Sequence, residues 1–288
     1  MENTRWDYSP IVTRKPFTLP NKARIAVWPV LCVEYFDIGL PIPGGRSPTA
    51  PDMFSYPSYD YGNRIGFWRI KDLLDKYKIK ATMAINSEIC THYPLIAQEA
   101  LKDGWEFMAH SHTNSRFLGN LKVEEQKEII HSSLATLEKI AGYRPKGWRS
   151  SGMNTSFETP DLLAEAGIKY ISDWANDDQP YLVNVKSGKM ISLPSDNVPD
   201  LRFADKSPSH YVEEVKAHFD TLYREGAGQA RTFPFCLHTF EIGKPSKIVV
   251  LEQLLDYMMR HKQVWFTTGG ELAKWYFEEY LGDKEAFK

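Results

Sequence analysis

Short apolar runs alternate along this chain with longer amphipathic stretches, and this alternation constrains the fold more than any other feature. A short apolar run is typical of a buried strand, and apolar residues spaced by three and four are typical of a helix that packs on one face. The predicted strands are Arg24–Val33, Lys80–Ile85, Glu106–Ala109, Gly147–Ser150, Tyr170–Ser172, Met190–Leu193, Thr232–Leu237 and Val264–Thr267. We therefore expect an α/β fold, a single distorted (β/α) barrel of about seven to eight strands.

The helices between these strands have recognisable ends. Thr159-Pro160 and Ser207-Pro208 each place a capping residue before a proline in the first turn, and Gly167 and Gly226 stand where those two helices should end. Three further amphipathic stretches are predicted to be helices that pack on the outside of the sheet: Ile65–Tyr77, Val123–Ile140 and Ile248–His261.

One segment interrupts the alternation. Residues 37–63 contain five prolines, and the sequence predicts a long loop there. Long loops within a compact domain are uncommon and usually functional. Since no linker or repeat is visible, we expect residues 1–288 to form one domain, with residues 1–22 as an N-terminal arm.

Composition and charge exclude several classes of protein. The chain of 288 residues is 42% hydrophobic and carries a formal net charge of -2, so it is neither disordered nor patterned to bind nucleic acid or an anionic membrane. The expected partner is a small molecule. Three cysteines without a CxxC motif favour a reducing compartment, and Met1–Pro10 has no apolar core of a signal peptide, so a cytoplasmic location is expected.

Polar residues follow the predicted strands at their carboxyl ends, where a barrel carries its active site. On its own, an Asp there often caps a helix and a His is often structural. Their coincidence at six strand ends predicts one site on that face. The residues concerned are Glu34 and Asp37; His110, His112 and Asn114; Trp148, Arg149 and Ser151; Asp177 and Asp178; Asp196 and Asn197; and His238.

The order of these motifs resembles the polysaccharide deacetylase family, carbohydrate esterase family 4, from about Arg24 to Tyr276. The matching elements are Glu34, His110 with its polar followers, Gly147-Trp148-Arg149-x-x-Gly152, Ser172-Asp173 and Leu237-His238. Two stretches, Tyr61–Arg69 and Asp177–Tyr181, are similar to the branch that holds cofactor-independent allantoinases, cyclic imide hydrolases and some intracellular peptidoglycan-deacetylase-like proteins. The resemblance implies a hydrolase of carbon–nitrogen bonds and a homo-oligomer, possibly a tetramer.

The chain departs from the family at the metal site. Metal-dependent members have two Asp, a base and a ligand, where this chain has Cys32 and Glu34, and two ligand His where it has His110 and Asn114. A neutral amide is a poor zinc ligand. We therefore expect no cofactor; if zinc or another divalent metal binds at these positions, Glu34 and His110 would be its ligands.

Without a metal, the easier reaction is one whose leaving nitrogen is stabilised by an adjacent carbonyl, as in a cyclic amide, ureide or imide. Glu34 or His110 would activate water, Arg149 would stabilise the oxyanion and His238 would protonate the leaving nitrogen. The predicted substrate-binding residues are Asp37, His112, Asn114, Trp148, Ser151, Asp177, Asp178, Asp196 and Asn197. Two alternatives stay open: an N-deacetylase of an acetylated sugar or peptidoglycan, and a non-catalytic binding protein on the same scaffold.

Overall fold

The sheet at the centre of the molecule has nine strands in a computed structural model that describes residues 2–16 and 18–287. The strands are β1 Ile25–Val33, β2 Thr82–Ile85, β3 Glu106–Ala109, β4 Gly147–Trp148, β5 Tyr170–Ile171, β6 Tyr181–Val183, β7 Met190–Ser192, β8 Arg231–His238 and β9 Val264–Phe266. Their order is β6-β7-β5-β4-β3-β2-β1-β8, with β9 paired to β1. All eight predicted strands are present, and β6, which pairs antiparallel with β7, was not predicted.

The sheet curls into an incomplete barrel, which confirms the predicted fold class. Over the described part of the chain, the end strands β6 and β8 do not pair with each other. The gap between them is bridged before β6 begins, where the Thr232 N–H donates to the Asp178 carbonyl at 2.9 Å.

Strand β1 explains how the barrel is built. It pairs in parallel with β8 along nearly its whole length and with β2 over its second half, and all nine of its residues are buried. Side chains alternate between the two faces of a strand. Ala26, Trp28, Val30 and Cys32 pack inside the barrel, whereas the residues between them pack against the outer helices.

Ten α-helices surround the sheet in the described residues, most of them on its outer face. They are α1 Tyr56–Tyr61, α2 Phe67–Tyr77, α3 Ser87–His92, α4 Pro94–Lys102, α5 Val123–Ala141, α6 Thr159–Glu165, α7 Pro208–Glu225, α8 Thr239–Ile242, α9 Pro245–Met259 and α10 Gly269–Trp275. None of them is both long and apolar enough to cross a membrane.

The predicted loop over residues 37–63 is wrong at its carboxyl end. Helix α1 occupies residues 56–61, because Pro57 lies in the first turn of a helix, where no N–H is needed. A π-helical turn, Gly62–Gly66, then leads into α2, which begins at Phe67 and not at Ile65. A Cβ atom on Gly66 would lie 2.0 Å from the Thr239 carbonyl oxygen, so only glycine permits this turn to cross α8 so closely.

The N-terminal segment lies across the loops that follow β4 and β5. Arg5 donates to the Asp161 carboxylate at 2.9 Å, and the Trp6 and Trp174 rings have centroids 4.7 Å apart. Arg14 forms an ion pair with Asp177 at 2.5 Å. These contacts tie the arm to the face of the barrel on which the strands end.

Candidate active site

A cavity of about 350 Å³ opens at the carboxyl ends of the strands. Its floor is polar and its walls are apolar. The polar lining residues are Cys32, Glu34, His110, Asn114, Arg149, Ser150 and His238, and the apolar or aromatic ones include Phe36, Pro43, Tyr59, Phe117, Met153, Pro199, Leu201 and Phe240. All four predicted catalytic residues, together with Asn114, therefore share one cavity.

The Glu34 carboxylate lies between two imidazole rings. Its Oε1 atom is 3.5 Å from His110 Nε2 and 3.9 Å from His238 Nε2, and all three side chains are buried. Burial alone would raise the Glu34 pKa, but the neighbouring His110 and the charge of His238 together hold it below its usual value. Glu34 is therefore an anion at neutral pH.

His238 is fixed by a carboxylate that the sequence did not point to. Its Nδ1 atom lies 2.6 Å from Asp200 Oδ1, and its backbone N–H donates to Asp200 Oδ2 at 2.8 Å. Burial would lower the His238 pKa, but Asp200, Cys236 and Glu34 outweigh it and raise the pKa to about 10. His238 therefore carries a proton at neutral pH and presents Nε2 to the cavity.

His110 is oriented by the backbone of the neighbouring strand end. Its Nδ1 atom lies 2.7 Å from the Arg149 carbonyl oxygen, which can only accept, so Nδ1 carries a hydrogen. Its Nε2 atom is buried and has no hydrogen-bond partner. This atom points at Glu34, and so the pair offers a place for a polar group of a ligand or for water.

The two terminal nitrogens of the Arg149 guanidinium have different surroundings: Nη1 donates to the protein, and Nη2 has only weak acceptors. Nη1 donates to the Ser172 carbonyl oxygen at 2.7 Å and to Ser195 Oγ at 2.9 Å. Nη2 contacts only the sulfur atoms of Met153 and Cys236, each at 3.5 Å, among the described residues. Sulfur is a weak acceptor, so Nη2 is the donor that a stronger acceptor in the cavity would capture.

The residues at the family's metal positions do not form a three-ligand site. Asn86 is fixed because its Oδ1 accepts from the Tyr35 N–H at 2.8 Å, and its Nδ2 then donates to Asn114 Oδ1 at 3.3 Å. The amide NH₂ of Asn114 is thereby turned toward Glu34, and it helps to lower the pKa of that carboxylate. Asn114 thus presents a donor where the family has a ligand, and only Glu34 and His110 are left.

Three predicted substrate-binding residues are structural. Trp148 is fully buried and its Nε1 donates to Ser150 Oγ at 2.9 Å. Ser151 Oγ donates to the carbonyl oxygens of His110 and Thr113. Asp196 accepts from the Val198 and Cys236 N–H groups, and burial raises its pKa to about 8. A strand end on a curled sheet points inward at some positions and into the packing at others, and the sequence does not distinguish them.

Two more of these residues lie beside the cavity without lining it. His112 is held between Ser87 Oγ at 2.5 Å and Ser132 Oγ at 2.8 Å, at the contact of helices α3 and α5. Asp37 accepts from the Gly39 N–H at 2.8 Å and closes a turn. Their polar atoms are satisfied by the fold itself.

The last three predicted residues line a different cavity. Asp177, Asp178 and Asn197 lie with the N-terminal arm around a second opening of about 650 Å³. The Asp177 carboxylate is paired with Arg14 and also accepts from the Gln179 N–H at 3.0 Å. The loops after β5 and β7 carry these residues away from Glu34, toward the arm.

Two functional candidates were missed by sequence reasoning. Asp200 orients His238 from a turn whose position depends on the tertiary fold, and no sequence signal marks it. Cys236 lies with its sulfur 3.6 Å from the Cys32 sulfur. A signal did exist for this pair, because Cys236 precedes His238 by two residues as Cys32 precedes Glu34, and such residues share one face of a strand.

Comparisons with known proteins show which proteins this chain is similar to in sequence and fold. Residues 48–171 match the family model of polysaccharide deacetylase. A Schizosaccharomyces pombe protein whose name places it among the polysaccharide deacetylases is 25% identical over 237 residues, 75% of this chain and 74% of that protein. A solved allantoinase is 26% identical, with a TM-score of 0.83 over 95% of this chain and 99% of that chain. A Pseudomonas aeruginosa PAO1 structure, also named among the polysaccharide deacetylases, is 24% identical and shares the fold, with a TM-score of 0.82 over 91% of this chain and 94% of that chain.

Proposed function

Because the chain carries a polysaccharide deacetylase domain and is similar over nearly its whole length to an allantoinase, we propose that it opens the ring of a small cyclic amide, ureide or imide by hydrolysis. The observation that carries the proposal is the anionic Glu34 carboxylate between His110 and a protonated His238 in one buried cavity. A base and an acid whose environments push their pKa values apart are the usual equipment for this kind of proton transfer.

The size and walls of the cavity favour a small planar ring. A volume of about 350 Å³ is at the lower end of what ligand pockets offer. Phe36, Tyr59 and Phe240 form an aromatic wall, and their rings contact one another at centroid distances of 4.1 and 4.6 Å. A flat heterocycle gains by packing on such a wall, whereas a glycan chain needs an open groove with many hydrogen-bonding groups.

Water attack begins at Glu34. Its Oε1 atom lies 3.5 and 3.9 Å from the Nε2 atoms of the two imidazoles, so a water molecule bound by Glu34 is within reach of both rings. Glu34 takes one proton from this water as the oxygen bonds to the ring carbonyl carbon. His110 Nε2, which has no partner of its own, orients the water.

The remaining charges are handled by Arg149 and His238. Arg149 Nη2 exchanges its weak sulfur acceptors for the developing oxyanion. His238 donates its Nε2 proton to the ring nitrogen as the carbon–nitrogen bond breaks, so the products are a carboxylic acid and an uncharged amide or urea nitrogen. Asp200 stabilises the protonated ring until this step.

A turnover screen on the purified protein tests the proposal. Allantoin, succinimide, dihydrouracil and N-acetylglucosamine would be offered under the same conditions. We expect ring opening of at least one of the three cyclic compounds. Release of acetate from N-acetylglucosamine with no activity on any ring would instead favour an N-deacetylase, and no turnover of any of the four would favour a binding protein on this scaffold.

A further inference from the structure

Two short motifs on neighbouring strands place four potential metal ligands together. Cys32 and Glu34 follow one another with one residue between them, and so do Cys236 and His238. Strands β1 and β8 are parallel, and their register places Cys32 opposite His238. Because residues two apart point to the same face, all four side chains are directed into the barrel interior at its open end.

The distances between these side chains suit a tetrahedral ion. The two cysteine sulfurs are 3.6 Å apart, and one ligand atom each of Cys32, Cys236 and His238 lie within 4.8 Å of one another. Zinc–sulfur bonds of about 2.3 Å in a tetrahedron separate two sulfurs by roughly 3.8 Å. The pair of sulfurs therefore already has the spacing that one shared zinc ion requires.

The surroundings also prepare His238 to bind an ion. Asp200 holds its Nδ1 atom, which leaves Nε2 as the only ring nitrogen free to coordinate. A carboxylate behind a ligating imidazole is the usual second layer of a zinc site, because it fixes the ring and makes the other nitrogen a better ligand. Arg149 Nη2, at 3.5 Å from the Cys236 sulfur, can donate to a sulfur that is bound as thiolate.

We propose that Cys32, Cys236 and His238 bind one zinc ion at the floor of the cavity, with the fourth coordination position toward Glu34. Two thiolates and an imidazole are ligands that select zinc over the harder magnesium and calcium ions. These are not the family's metal positions, which in this chain are Glu34, His110 and Asn114.

Zinc at this site would inhibit the proposed reaction. An imidazole whose Nε2 coordinates a metal has no proton to give to a leaving nitrogen, so His238 cannot serve both purposes at once. This consequence rests on the proposed function, whereas binding of the ion does not. The cavity would thus work as a hydrolase without the ion and lose turnover when zinc enters.

Cobalt(II) serves as the spectroscopic probe, with the full-length protein kept reduced and stripped of metal by a chelator. We expect one cobalt per chain, with the charge-transfer absorption of a cobalt–thiolate bond, and loss of that absorption on addition of one equivalent of zinc. Cys32→Ser and Cys236→Ser should each lose at least half of the absorption. Cys90→Ser is the matched control, because Cys90 is also a buried free cysteine but lies on helix α3, and it should keep the full absorption.

Measurements on the wild-type protein alone can show that the proposed zinc site is wrong. If the reduced wild-type protein shows no cobalt–thiolate absorption, or if zinc does not displace the cobalt, the site does not exist. The same absorption in Cys236→Ser would also overturn it. Where a serine variant does not fold, zinc should still raise the midpoint of thermal unfolding of the wild-type protein, since an ion that binds only the native state stabilises it.

Turnover separates this inference from the proposed function. Ring opening by the metal-free protein that one equivalent of zinc reduces at least tenfold would support both. Ring opening that zinc leaves unchanged or increases would overturn the inhibitory role. If zinc binds but the metal-free protein opens no ring, the proposed function fails and the metal site stands.

Discussion

The Asp200 carboxylate contacts His238 with both of its oxygens: Oδ1 lies 2.6 Å from ring Nδ1, and Oδ2 accepts from the backbone N–H at 2.8 Å. One oxygen thus sets the protonation and direction of the imidazole, and the other sets the position of the strand end that carries it. Asp200 does not line the cavity, and we regard it as a positioning residue that acts through His238.

Replacing Asp200 by Asn tests this role. The largest charge that raises the His238 pKa is removed, so the pKa should fall from about 10 toward the ordinary value for histidine. The alkaline limb of the kcat profile for ring opening should then move to lower pH, while the rate on the acid side of the new limb is largely kept. A loss of activity equal at every pH would indicate a merely structural role.

Replacing Glu34 by Gln should nearly abolish ring opening. The amide keeps the shape of the side chain but cannot take a proton from water, and a general base of this kind contributes on the order of 100-fold to 10,000-fold in rate. We expect kcat to fall within that range. Glu99→Gln, on the surface of α4, is the matched control and should leave kcat unchanged. Near-normal turnover by the Glu34 variant would move the role of base to His110.

Replacing Arg149 by Lys tests whether the guanidinium stabilises the oxyanion. A lysine keeps the positive charge but has a single nitrogen. It cannot donate to Ser172 and Ser195, as Nη1 does, and at the same time present a second nitrogen to the cavity, as Nη2 does. We expect kcat to fall on the order of a hundredfold with little change in KM. A higher KM at constant kcat would mean that Arg149 binds the substrate and not the transition state. Because the guanidinium also joins strand ends, the midpoint of thermal unfolding should be measured alongside.

His238 should also appear in the pH dependence of stability. Its pKa is about 10 in the folded protein and about 6.5 when unfolded, so between these values the folded state binds more protons. Its contribution to stability is complete below pH 6.5 and is lost as the pH rises to about 10. Cys236, whose pKa is lowered to about 6 by Cys32 and Arg149 against the effect of burial, contributes with the opposite sign.

The quantity to measure is therefore a difference. The free energy of unfolding of the wild-type protein minus that of His238→Gln, from urea titrations between pH 6.5 and 10 without metal, should decrease steadily as the pH rises. A difference that stays nearly constant over this range would show that His238 is buried as the neutral imidazole.

Asp177→Asn should loosen the N-terminal arm. The Arg14–Asp177 ion pair is partly buried, with side chains 14% and 13% exposed, and an amide accepts more weakly from a guanidinium. Hydrogen exchange of residues 5–14 should therefore become faster, with no change in strands β1 and β8. If exchange in the arm is unaffected, Arg5 and Trp6 alone are enough to hold it.

The positions of eight of the nine strands along the chain could be predicted because each one is a short apolar run between polar segments. Strand β6 escaped prediction because Tyr181 and Leu182 are not fully buried and the strand has only three residues at the edge of the sheet. Helix α1 escaped prediction because a run of prolines indicates a loop, although Pro57 lies where a helix accepts it. The resemblance to the polysaccharide deacetylase family and to its allantoinase-like branch is confirmed by the comparisons.

The site was predicted in its centre and not at its margins. Glu34, His110 and His238 come together because each lies at the carboxyl end of a strand, and parallel strands end on one side of the sheet. The predicted residues farther along the loops, such as Asp177 and Asn197, lie elsewhere because a few residues of loop are enough to reverse a direction. The absence of a cofactor at the family's positions, the homo-oligomer and the cytoplasmic location stay predictions.

The close contact of Gly66 with Thr239 separates the segment that forms the wall of the cavity from the strand ends that form its floor. This contact fixes the carboxyl end of the segment from Phe36 to Tyr59, and strand β1 fixes its amino end. The segment therefore covers the cavity and is held at both ends. Phe36, Pro43 and Tyr59 line the cavity from that segment, while Glu34, His110 and His238 lie at strand ends beneath it. Replacing this segment would therefore change which ring fits the cavity and leave the residues at the strand ends in place. This holds as long as Gly62 and Gly66, the first and last residues of the π-helical turn, are retained.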